Sequence, residues 1–135
     1  MKVKDGIKWT KEFYPSFNVI YANKLANDFK LNVDKKIKDL STGYNSIFKL
    51  ILALASGANI ILFDEPVLGL DANNREFFYK ELIKSYIEQP KTIVISTHLI
   101  DEISDVLEEI VIIKELSLQV STVKLQELII CLTNS

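Results

Sequence analysis

Glycine is scarce in this chain. Among its 135 residues only Gly6, Gly43, Gly57 and Gly69 occur. None precedes a lysine, and no two have the spacing of Gly-x-x-x-x-Gly-Lys-[Ser/Thr], the loop whose backbone N–H groups cradle nucleotide phosphates. No such loop can be drawn from this sequence. Cys131 is the single cysteine, so an internal disulfide is excluded, which fits a reducing compartment. His98 is the single histidine. One His and one Cys argue against a zinc site, so the acidic cluster Asp101, Glu102, Asp105, Glu108 and Glu109 reads as a solvated helix face. Long apolar runs are missing as well. Leu50–Ala55 and Ile110–Ile113 fall far short of the roughly 20 residues that span a bilayer. The N-terminus is polar and lysine-bearing, without the apolar core of a signal peptide. No internal repeat or low-complexity linker interrupts the chain.

What is present is an ordinary globular composition, 48% hydrophobic and 25% charged, long enough for one domain with a buried core. The net charge of −2 conceals an asymmetry. Residues 1–50 carry ten lysines and five acids, a net of +5, while residues 51–135 carry six basic and thirteen acidic residues, a net of −7. The lysines are scattered and not interleaved with aromatics, so they read as solvated helix faces and no nucleic-acid partner is expected.

Local patterns predict alternating helices and strands. Residues 1–17 are polar with aromatics and contain Pro15, so no helix is expected there. Asn18 can cap a helix over about 19–30, with Ile20, Leu25, Ala26 and Phe29 on its apolar face. Leu31–Asp39 is a lysine-rich connector. Ser41 stands at the N-cap of a helix over about 42–56, and Gly57 lies just past its end. Ile60-Ile61-Leu62-Phe63-Asp64 reads as a strand buried on both faces. Asp71 or Asn73 can cap a helix over about 72–88 that Pro90 stops. A strand at 92–96, a helix at about 99–107, strands at 109–114 and near 117–121, and a helix at about 123–132 follow. This alternation implies an α/β fold with a mainly parallel sheet.

The chemistry concentrates at the end of strand 60–64. A buried strand stopping at Asp64-Glu65 sets two carboxylates at the C-terminal edge of the sheet, where open α/β sheets bind ligands. Side by side they repel each other and lose hydration, unless a cation or a catalytic task accounts for them. The strand Thr92-Ile93-Val94-Ile95-Ser96-Thr97 ends at His98, which belongs at the same edge. Upstream, Leu40-Ser41-Thr42-Gly43-Tyr44 opens a helix, and a serine hydroxyl with free N–H groups at a helix start suits an anion. Pro66 and then Gly69-Leu70-Asp71 follow the carboxylates.

In order and spacing these four segments resemble motifs of the ABC-type ATPases: the signature, Walker B, the D-loop and the switch histidine. The resemblance covers about Phe13 to Ile130. Phe13-Tyr14-Pro15-Ser16-Phe17 and Arg75 look most like bacterial peptide- or drug-efflux ATPases. Thr42 and Tyr44 depart from the residues usual in the signature, while Ser41 and Gly43 keep its pattern. The resemblance implies a partial P-loop NTPase, with residues 1–57 as connector and signature-bearing helical segment and residues 58–135 as Walker B, D-loop and switch-histidine core. Walker A is missing, and no Q-loop glutamine precedes the signature. It implies that Glu65 and His98 are catalytic and that Asp64 holds Mg²⁺ through water. It further implies that Ser41 and Gly43 contact ATP held by a second nucleotide-binding domain, and that Asp71 acts across that dimer interface. Transmembrane transporter subunits would be the other partners, placing the protein in the cytoplasm against the inner face of the membrane. The chain by itself would be inactive. Two alternatives stand beside this reading: a non-transport ABC-type ATPase, and a truncated remnant without enzymatic activity.

Overall fold

The computed structural model describes residues 1–97 and the backbone of 128–133. The chain divides into two compact units, Met1–Ala58 with Val67–Phe78, and Asn59–Pro66 with Tyr79–Ser135.

The first unit is helical. Helix α1 (Val3–Phe13) occupies a stretch whose composition predicted none. The Asp5 carboxylate accepts the Lys2 backbone N–H at 3.2 Å and closes its first turn. Val3, Gly6 and Ile7 form its buried stripe. Pro15 follows the helix rather than breaking it. The residue before a proline is pushed out of the helical region, and Tyr14 accordingly turns to φ −121° and ψ 93°. Helix α2 (Val19–Asp28) starts where expected, because Asn18 accepts the Tyr21 N–H at 2.9 Å. Leu25, Ala26 and Phe29 are buried, but Ile20 is 84% exposed and is no part of the packed face. The lysine-rich connector contains a 3₁₀ turn at Ile37–Asp39. Helix α3 (Thr42–Ala55) buries Ile47, Phe48, Leu50, Ile51 and Leu54. Its far end is tied to the loop before α2. The Asn18 N–H donates to the Ala55 carbonyl at 2.8 Å, and the Ser16 hydroxyl donates to the Ser56 carbonyl at 2.8 Å. The rings of Phe29 and Phe77 meet edge to face at 4.7 Å.

The second unit holds a three-stranded sheet in the order β1–β2–β3. Strand β1 (Ile60–Asp64) runs parallel to β2 (Thr92–Thr97), with Asp64 opposite Ser96. Strand β3 (Leu128–Thr133) runs antiparallel to β2 and pairs all six of its residues. The helix expected at 123–132 is therefore wrong over its second half. Leu128-Ile129-Ile130-Cys131-Leu132 is an apolar run with two β-branched residues, a composition that suits a strand as well as a buried helix. Strand β1 also departs from expectation. Ile61 and Phe63 are buried, whereas Ile60 and Leu62 are 64% and 73% exposed, so among the described residues the strand is covered on one face only. Helix α4 (Ala72–Glu88) lies between β1 and β2 in sequence and buries Phe78, Tyr79, Leu82 and Tyr86. The expected helix at 99–107 and strands at 109–114 and 117–121 lie outside the described residues. No helix among the described residues is long and apolar enough to cross a membrane.

Candidate functional site

Asp64 and Glu65 belong to the second unit, at the C-terminal end of β1. Parallel pairing sets Ser96 beside Asp64, and the Ser96 hydroxyl donates to the Asp64 carboxylate at 3.3 Å. The Glu65 N–H donates to the Ser96 carbonyl at 2.8 Å, carrying the ladder one residue past the strand. Glu65 then takes φ +45°, the left-handed region that a non-glycine residue enters at a cost. Asp64 is exposed and Glu65 half-buried. The strand thus ends on a fixed bend that carries two adjacent carboxylates to the sheet edge. Ser96 is the residue that sequence reasoning missed here. Its only signal was its place near the end of the second strand, and its value depends on strand register.

Among the described residues no group of three or more His, Cys, Asp or Glu side chains gathers into a metal cage. A hard divalent cation that keeps most of its water needs only one or two carboxylates. Exposed Asp64, oriented by Ser96, fits that role through water.

Ser41, Gly43 and Asp71 belong to the first unit. Ser41 caps α3 by accepting the Tyr44 N–H at 3.3 Å. That bond uses a lone pair, so the hydroxyl proton remains available to an outside acceptor. Asp71 caps α4, accepting the Asn74 N–H at 2.8 Å and the Asn74 side-chain amide at 3.3 Å. The two helix starts meet. A Cβ built on Gly43 would lie 2.7 Å from the Gly69 carbonyl oxygen, and Gly69 itself takes φ +81°. The Ser46 hydroxyl, which donates to the Thr42 carbonyl at 3.1 Å within α3, also lies 3.4 Å from the Leu68 carbonyl across the same contact. Arg75 braces the turn from the other side. Its Nη1 donates to the Leu70 carbonyl at 3.0 Å, and its backbone N–H donates to the Asp71 carbonyl at 3.0 Å. Ser41 and Asp71 are therefore fixed on one backbone-to-backbone contact within this unit. In the sequence Arg75 carries only part of a resemblance, and its bracing role has no local signal of its own. His98 lies outside the described residues.

No protein-family model matches the chain. It is 32% identical over 108 residues to the ABC transporter ATP-binding protein YtrB of Bacillus subtilis, covering 80% of this chain and 37% of that protein. It is 26% identical over 125 residues to the ribose import ATP-binding protein RbsA of Caldanaerobacter subterraneus, covering 85% of this chain and 25% of that protein. It is 32% identical over 97 residues to the energy-coupling factor transporter ATP-binding protein EcfA2 of Staphylococcus saprophyticus, covering 70% of this chain and 34% of that protein. The chain spans between a quarter and two-fifths of the length of these relatives. Over most of its own length it is similar to the ATP-binding proteins of ABC transporters.

Proposed function

We propose that this chain is the C-terminal part of an ABC-type nucleotide-binding domain whose intact form hydrolyses ATP and drives a membrane transporter. The observation that carries this reading is the end of β1. Two carboxylates stand there on a left-handed bend, with Ser96 hydrogen-bonded to the first. Asp64 corresponds to the Walker B aspartate and Glu65 to the residue beside it. Glu65 accepts the proton of the attacking water, and the carboxylate must sit at a fixed angle to do so. Asp64 would hold Mg²⁺ through water, and that ion supplies charge neutralisation on the phosphate oxygens. Ser41, with the N–H groups at the start of α3, receives the γ-phosphate of ATP bound to a second copy of the domain. Gly43 lets this helix start lie against the Gly69 turn, and Asp71 acts from that turn across the same dimer interface. His98 is assigned to the γ-phosphate as a sensor that acts where charge develops. The partners are a second nucleotide-binding domain and transmembrane subunits, and the site of action is the inner face of the membrane.

The chain by itself contains no phosphate-cradling glycine loop, so we expect it neither to bind MgATP below millimolar concentration nor to turn it over. The test fuses it in frame behind a segment that carries a Gly-x-x-x-x-Gly-Lys-[Ser/Thr] phosphate loop, taken from an ABC-type ATP-binding protein. The fusion is expected to hydrolyse ATP. Glu65→Gln should retain nucleotide binding and slow single-turnover hydrolysis by about 10²-fold or more. Near-normal turnover in Glu65→Gln, or affinity lost as severely as rate, would remove Glu65 from the reaction.

A further inference from the structure

One residue of the central strand holds both carboxylates at the end of β1. Ser96 is paired with Asp64 on one side and with Ile129 on the other. Its neighbours Ile95 and Thr97 are buried, so its backbone is anchored along the strand as well as across it. Strand β1 pairs with β2 alone among the described residues, and the end of a strand with a single neighbour tends to fray. Two bonds from Ser96 oppose this. Its carbonyl accepts the Glu65 N–H at 2.8 Å, and its hydroxyl donates to Asp64 Oδ1 at 3.3 Å.

The two bonds differ in what they require. Any residue at position 96 could supply the carbonyl, which holds the backbone bend on which Glu65 stands. The bond to Asp64 needs a hydroxyl on a short side chain. Parallel pairing sets the two side chains on the same face of the sheet, so that hydroxyl reaches the carboxylate. Asp64 has no other hydrogen bond or ion pair among the described residues, and its Oδ2 accepts none. An exposed aspartate without a partner spreads over three staggered χ1 wells. A donor fixed on the neighbouring strand selects one of them.

We infer that Ser96 is a positioning residue for this edge: its hydroxyl holds Oδ1 of Asp64 and so presents Oδ2 to the water shell of a divalent cation. Ser96 acts through Asp64 and does not need to touch the ion. The inference rests on the proposed role of Asp64 as the holder of Mg²⁺, and it adds the side chain that makes this carboxylate ready. Preorganisation sets the size of the effect. With three wells of similar energy open, about one Asp64 side chain in three is competent, and apparent cation affinity falls about threefold.

The isotope-labelled full chain is titrated with Mn²⁺ alone. Broadening of individual amide signals reports binding at the strand end apart from the other carboxylates of the chain. In the parent, Asp64 and Ser96 should broaden at the lowest Mn²⁺ concentrations, and Asp64→Asn should abolish this. Ser96→Ala should need about threefold more Mn²⁺ for the same broadening while its urea midpoint stays nearly unchanged. Ser96→Thr keeps the hydroxyl on a residue suited to a strand and should restore the parent value. Local broadening that survives Asp64→Asn overturns the role of Asp64 itself. Broadening that depends on Asp64 but is unchanged or strengthened in Ser96→Ala overturns the inference and leaves that role standing. So does a loss in Ser96→Ala that Ser96→Thr does not restore, which would assign the effect to packing. No local broadening in the parent at millimolar Mn²⁺ also overturns the inference, because the edge is then not ready for a cation, and turnover by the fusion judges Asp64 separately.

Discussion

Replacing Gly43 by alanine probes the contact that joins the start of α3 to the turn before α4. In open space the change should stabilise the fold by about 0.4–1 kcal/mol, because alanine has less chain entropy to lose and favours helix. Here the added Cβ would sit 2.7 Å from the Gly69 carbonyl oxygen and 3.6 Å from its carbon. Both are backbone atoms, so no side chain can swing aside. The turn is held in place as well. Gly69 is at φ +81°, the Leu70 N–H donates to the Val67 carbonyl at 3.1 Å, and Arg75 Nη1 donates to the Leu70 carbonyl at 3.0 Å. Relief requires the helix start and the turn to separate, and overpacking of this kind costs about 1–3 kcal/mol. The net expectation is a loss of about 1–2 kcal/mol, or about 3–8 °C in melting temperature for a chain of this size. Urea unfolding followed by far-UV circular dichroism measures it. Gly6→Ala is the comparator, because its Cβ would meet the Phe48 ring end at 3.0 Å and the Ile37 Cδ1 at 3.2 Å, side-chain ends that can yield. Its cost should be smaller. A Gly43→Ala chain as stable as the parent, or more stable, would show that the two backbones are not in contact. Equal losses at both positions would remove the argument from backbone rigidity.

Three further outcomes are expected. Glu65→Gly should stabilise the chain by up to about 1 kcal/mol in the same urea assay, because relief of the left-handed penalty exceeds the entropy that glycine adds to the unfolded chain; a loss of that size would contradict strain at φ +45°. Lys91 is buried, and desolvation, partly opposed by the Glu88 carboxylate, holds its pKa below the ordinary 10.5. The native chain therefore binds fewer protons than the unfolded chain as pH approaches 10.5, so stability should rise across that window and Lys91→Met should flatten the rise; a urea midpoint in the parent that is flat or falls there would reverse the sign. Leu62→Thr should reduce concentration-dependent association, because β1 exposes Ile60 and Leu62 at 64% and 73%, whereas a parent chain that light scattering finds monomeric at every concentration would show that this face is not adhesive.

Elements with local signals were legible in the sequence. Asn18, Ser41 and Asp71 each cap a helix through a contact to the residue three positions on, so the information lies within one turn. The strands at 60–64 and 92–97 announced themselves as apolar runs between turns. Helix α1 did not, because its stability is not local. Gly6 fits against Phe48, and the Lys2–Lys36 bridge anchors its start, contacts with residues more than thirty positions away. Strand β3 was misread for the same reason, since its pairing to Thr92–Thr97 decides between two conformations that its composition allows equally. At the candidate site, the residue types were visible, but the arrangement was not. Ser96 acquires its place beside Asp64 only through strand register, and Gly43 acquires its close approach only once Gly69 has turned beneath it.

The positions that break local rules fall on residues of the proposed site. Glycine is a poor choice for the first turn of a helix, yet Gly43 stands there, and the close backbone approach explains why a side chain is excluded. The bend after β1 favours glycine, yet a glutamate occupies it at φ +45°. A residue kept in a conformation that disfavours it needs a reason outside the backbone, and side-chain chemistry is the available one. For Glu65 the proposed role of the carboxylate supplies such a reason, because a glycine would satisfy the turn. Relieving the strain should improve folding and abolish the chemistry in the same substitution, whereas a glutamate held there by packing alone would give up stability when replaced.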